Sequence, residues 1–117
     1  MENPFRNDPF MLVWEAYKRL YNKPCEAWWD TYESSGEEEN YGITIFPDDG
    51  SVPQIFIFVE HPVSVQIETL GHELAHVAVG IEHDHDEVWE AAFDAIFKEY
   101  NRLGDELFSA ERKDGEE

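Results

Sequence analysis

Cysteine is almost missing from this chain: Cys25 stands alone among 117 residues. One thiol excludes an intramolecular disulfide and a CxxC zinc ribbon, and it suits a reducing compartment. Cations are scarce as well. Eight Lys and Arg face 27 Asp and Glu, for a formal charge of -19 and a pI near 4.3. The eight are scattered, so neither nucleic acid nor an anionic membrane is an expected partner. Long charge-free stretches are missing too, and none approaches the ~20 residues of a membrane-spanning helix. The short apolar patch at 10–14 follows Arg6 and Asp8 without a cleavage site. No secretory signal is therefore expected, and a cytoplasmic location is. There is no internal repeat and no Ser/Gly-rich linker, and no signature of an oligomeric state.

What is present is apolar and aromatic: 42% hydrophobic residues, with eight Phe, five Tyr and four Trp. That is enough burial per residue for one packed core, so the 30% charged content does not imply disorder. A single domain over 1–117 is expected. Asp8-Pro9 has the form of an N-cap followed by a favoured first helical residue. Phe10, Val13, Trp14, Tyr17, Leu20 and Tyr21 then recur at helical spacing, until Asn22 and Pro24 end the helix. Residues 25–32 suggest a further short helix, and 33–40 (ESSGEEEN) an exposed loop. Residues 41–46 and 54–59 are rich in β-branched and aromatic side chains around Pro47-Asp48-Asp49-Gly50, which predicts a hairpin. The run at 55–59 is expected to be buried on both faces.

From about residue 65 the period becomes helical. Ile67, Leu70, Leu74, Val77, Ala78 and Ile81 share one stripe, and Gly80 is a natural stop. A last helix is predicted from about Asp86, with Trp89, Ala92, Phe93, Ile96, Tyr100 and Leu103 on its core side. Asp84 and Glu87 have capping-box spacing at its start. The tail from about 109 has no apolar pattern and is expected to fray. The fold class is α+β: an N-terminal helix, a short antiparallel sheet, and two helices.

His72-Glu73-Leu74-Ala75-His76 is an HExxH motif inside the first of those two helices. Spacing i to i+4 turns the second histidine only ~40° from the first, so both imidazoles reach one metal ion. With the core stripe centred on Leu74, both histidines point away from it, alongside Thr69 and Val79. Chance produces HExxH in roughly 3% of shuffled chains of this composition. A catalytic zinc takes three protein ligands and keeps a fourth position for water. His83-Asp84-His85-Asp86 supplies candidates directly after Gly80.

The stretch 70–93 (LGHELAHVAVGIEHDHDEVWEAAF) resembles the core of small zincin metallopeptidases, above all the SprT-like and WLM groups. The resemblance covers about two dozen residues by motif and 41–103 by architecture. It implies a minimal zincin-like domain that hydrolyses peptide bonds, with Zn2+ as cofactor and a peptide or protein as substrate. His72 and His76 match the first two ligands. Glu73 matches the general base toward zinc-bound water. His85, followed by Trp89 in the aromatic position, matches the third-ligand pattern. His83 and Glu90 remain alternatives, Glu90 with Asp94 resembling the gluzincin arrangement. Absence of a cysteine ribbon and the acidic composition depart from the DNA-dependent members. In these families an edge strand receives the substrate in extended form, and the hairpin at 41–59 is the candidate.

Other residues carry plainer expectations. His61 is a loop histidine that could support a ligand. Trp28 and Trp29 are expected as packing residues, and Cys25 as an inert thiol. Tyr41, Tyr100 and Arg102 are candidates for polarising a substrate carbonyl. The rival reading is an acidic binding or inhibitor protein that mimics nucleic acid, its zinc site structural or vestigial. Glu73 separates the two, since a structural site needs no acid beside its first histidine.

Overall fold

The computed structural model describes residues 8–32 and 40–115, and beyond 106 the backbone only. Helix α1 spans Pro9–Leu20. The Asp8 carboxylate accepts from the Phe10 N–H at 2.9 Å, which satisfies one of the donors a helix start leaves open. Val13, Ala16 and Tyr17 form its buried stripe. The helix ends at Tyr21, and Asn22 takes a left-handed φ of 52°, a conformation Asn tolerates better than most residues. Two bonds then fasten this turn. The Tyr17 hydroxyl donates to the Lys23 carbonyl at 2.6 Å, and the Lys23 ammonium donates to the Ala78 carbonyl at 2.7 Å.

Strands β1 (Glu26–Asp30), β2 (Gly42–Ile45) and β3 (Gln54–Phe58) form one sheet in the order β1-β3-β2. The predicted hairpin is present, with Gly42 opposite Ile57 and Ile45 opposite Gln54. Two expectations are corrected here. Residues 26–30 are a strand, not part of a short helix, and that strand runs parallel to β3, so the sheet is mixed. Adjacent tryptophans favour extended backbone, and the pairing of Glu26 to Gln54 through Asp30 to Phe58 decides the matter. Central placement explains the apolar character of β3: Ile55, Ile57 and Phe58 are buried. Phe56 is only half-buried and Val59 is exposed, so burial on both faces is incomplete. Trp28, Phe56 and Ile43 stand in a row across the three strands. Trp28 and Trp29 are 52% and 59% exposed, so neither is a core residue.

Helix α2 spans Val63–Val79 and stops at Gly80, whose φ of 90° is a glycine conformation and whose N–H bonds the His76 carbonyl at 2.9 Å. Leu70, Leu74, Val77 and Ala78 are buried as the stripe predicts, but Gln66, Thr69, Gly71, Glu73 and Ala75 are buried with them. The reason is position: α2 packs on β2 and β3 on one side and against α1 and the last helix on another. Ile81 lies past the helix end and is 71% exposed, so it leaves the predicted stripe.

Helix α3 spans Glu87–Gly115, with Trp89, Ala92, Ile96 and Leu103 buried and Phe93 and Tyr100 packed beside them. Its backbone stays helical to Gly115, within the tail that was expected to fray. The cap is also two residues later than expected: Asp86, not Asp84, accepts from the Trp89 N–H, at 3.0 Å. The loop expected at 33–40 lies, Asn40 apart, outside the described residues. Among those described, no helix is long and apolar enough to cross a membrane.

Close approach of α3 to α2 depends on Gly71. A Cβ there would collide with the Phe97 ring, so Gly71→Ala must displace an aromatic ring within a packed interface. The expected cost is about 1–3 kcal/mol. Urea unfolding checks it, and an unchanged midpoint would remove Gly71 from the packing argument.

Candidate metal centre

His72 and His76 sit one turn apart on α2, with ring centroids 5.0 Å apart. The third histidine arrives through the turn between the helices. Gly80 breaks α2, the His83 N–H bonds the Gly80 carbonyl at 3.2 Å, and His85 takes a left-handed φ of 55°. That conformation is uncommon outside glycine, and here it accompanies a ring turned back onto α2. His85 Nε2 lies 3.0 Å from His72 Nε2 and 3.1 Å from His76 Nε2. Trp89 underlies all three rings, at centroid distances of 4.7, 5.4 and 4.7 Å from His72, His76 and His85. Its indole N–H also donates to the His72 carbonyl at 3.3 Å.

The three ring nitrogens lie close enough together to hold one metal ion. A neutral imidazole carries one N–H, so a single shared proton leaves lone pairs facing each other. A tetrahedral ion with Zn–N of about 2.0–2.1 Å sets its ligand nitrogens about 3.3–3.4 Å apart. The observed separations fall within a few tenths of an ångström of that, and neutral imidazoles are the donor class zinc favours. Burial, then the neighbouring His76 and His85, lower the His72 pKa to about 4. Burial and then His85 lower that of His76, while Asp84 and a hydrogen bond to the His83 backbone act against the shift.

Glu73 lies beside the cluster, 6% exposed, with Oε2 3.8 Å from His72 Nε2. Burial raises its pKa. The Thr44 hydroxyl donates to Oε1 at 2.7 Å and opposes that shift. This contact exists because β2 runs close against α2. A Cβ on Gly42 would stand 2.6 Å from Thr69 Cγ2, so only glycine fits at that crossing. Thr44 was not singled out in the sequence. Its signal was strand alternation, which puts it on the same face as Gly42.

The remaining candidates separate clearly. His83 turns to Asp86, Nδ1 to Oδ2 2.7 Å, and stands outside the cluster. Glu90 and Asp94 are exposed on α3. Asp84 Oδ1 is 3.6 Å from His85 Nδ1, beyond hydrogen-bond length. His61 meets the Tyr32 hydroxyl, the Asn40 carbonyl at 3.1 Å and the Tyr41 ring at 4.4 Å. Tyr41, Gly42, Val65, Glu68 and Thr69 join His72, Glu73 and His85 around an open cavity of about 500 Å³. Of the three carbonyl-polarising candidates, only Tyr41 lines it. Arg102 is forked between Glu99 and Glu106, both at 2.6 Å, and the Tyr100 ring packs on Phe97. Cys25 is half-buried, and burial pushes its thiol pKa up while the Tyr17 hydrogen bond opposes that shift. The chain matches no family model, no curated protein and no solved structure.

Proposed function

We propose that the chain is a zinc-dependent metallopeptidase, with His72, His76 and His85 as ligands and Glu73 as general base. One observation carries the reading: His85 Nε2 lies 3.0 and 3.1 Å from the Nε2 atoms of His72 and His76, beside a buried carboxylate, and His72, His85 and that carboxylate line an open cavity. Bound there, zinc would polarise a peptide carbonyl and bring the pKa of a coordinated water toward ~7. The chain's own groups do the rest. Glu73 accepts a proton on the oxygen nearer His72 and returns it to the leaving amine. Thr44 holds the other oxygen, so the carboxylate keeps its aim. Trp89 packs edge-on against the His72 and His85 rings and tilted against His76, which holds their orientation. Strand β2, at the sheet edge beside the cavity, offers main-chain groups to an extended substrate.

Elemental analysis after dialysis should return about one zinc per chain, and a chelator should abolish peptide cleavage until zinc is restored. Metal well below one equivalent, unrestored by added zinc, overturns the reading. The net charge of -19 favours a second reading, an acidic binding protein whose zinc site is structural. That reading leaves the burial of Glu73 beside the cluster unexplained.

A further inference from the structure

We infer that the outer edge of β1 is a second binding site, taking an extended peptide segment with a cationic residue at each end of an apolar triplet. The site lies at the opposite sheet edge from β2 and includes no histidine, so it is independent of the metal centre. A cavity of about 470 Å³ opens between α1 and β1, walled by Phe10, Met11, Trp14, Ala27, Trp29 and Leu70. That size and lining are those of a ligand pocket. Among the described residues no strand lies outside β1. Its five residues, Glu26-Ala27-Trp28-Trp29-Asp30, contain no proline, no lysine and no positive φ. Proline and lysine are common guards on unpaired edges; this one carries two exposed tryptophans between Glu26 and Asp30.

The register defines the occupant. Alternation puts Glu26, Trp28 and Asp30 on one face of β1 and Ala27 and Trp29 on the other. Trp29 is directed toward the helices, since its ring meets Phe10 at 5.3 Å and its N–H donates to Gln66 at 3.1 Å. An added strand therefore sets two cations against Glu26 and Asp30, and an apolar side chain against Trp28 between them. Its two intervening apolar residues face Ala27, Trp29 and the cavity. Cross-strand pairs of these kinds are each favourable, and the field of a chain at -19 attracts the cations. A second copy of this chain is disfavoured, because it would align acid with acid.

The test titrates the full-length protein with a blocked peptide built on Lys-Val-Leu-Val-Lys, following tryptophan emission and hydrogen exchange at 26–30. Controls replace both lysines by glutamate, or N-methylate one or the other alternate set of backbone amides. The lysine peptide should bind about 10-fold or more tightly than the glutamate peptide, and one methylated set, not both, should lose binding. Exchange at 26–30 should slow. Glu26→Lys, at an exposed position, should reduce the lysine preference severalfold. Equal binding by all four peptides overturns the proposal, and so does protection at 42–45 in place of 26–30. Sedimentation as a dimer without peptide, with exchange at 26–30 already slow, also overturns it, assigning the edge to a second copy.

Discussion

Glu73→Gln is expected to keep the fold and the zinc while losing about 10²–10⁴-fold in peptide hydrolysis, the usual contribution of a positioned general base. The substitution is nearly isosteric. The amide oxygen can still accept from the Thr44 hydroxyl at the 2.7 Å contact, so packing of β2 on α2 survives. What disappears is the ability to accept and return a proton beside His72. Circular dichroism, bound zinc and turnover on one substrate, measured together, separate these effects. Undiminished turnover removes Glu73 from the chemistry. Loss of zinc along with activity moves it from base to ligand support.

His85→Ala is expected to weaken zinc binding by more than ~100-fold, beyond what supporting residues around a ligand contribute. His83→Ala should change affinity far less, because that ring is occupied with Asp86 at 2.7 Å, and Glu90→Ala should barely matter. Chelator competition on the three variants decides among them. A larger loss for His83→Ala transfers the third ligand, and a larger loss for Glu90→Ala supports the gluzincin arrangement. His85→Gly provides a control for folding. Glycine relieves the left-handed backbone at φ 55°, so this variant should lose affinity without losing stability.

Much of the fold was legible because its elements are amphipathic and local. The Asp8-Pro9 start, the stripe through Val13 and Tyr17, the hairpin around 47–50 and the stop at Gly80 each rest on nearby residues. HExxH was legible for the same reason, being a one-turn pattern on one helix. Strand β1 was not. Its identity comes from a parallel partner 28 residues later, Glu26 against Gln54, and no periodicity inside five residues reports that. Thr44 escaped because its role depends on how closely β2 approaches α2. The displaced cap at Asp86 follows from tertiary constraint as well, since the same carboxylate also holds His83. His85 lies beside the pair on α2, as the resemblance implied, whereas its left-handed backbone had no sequence signal.

Parallel pairing of β1 also bears on the order in which the chain is assembled. Ile45 and Gln54 are nine residues apart, while Glu26 and Gln54 are 28 apart, so closing the second contact costs about 1 kcal/mol more in loop entropy. The hairpin therefore nucleates ahead of the mixed sheet. During synthesis at ~5–20 residues per second, β1 waits a few seconds for its partner strand to be made. Throughout that interval its two tryptophans are available to any other strand nearby. A destabilised hairpin should lengthen the exposure and raise aggregation of the nascent chain more than its effect on final stability implies.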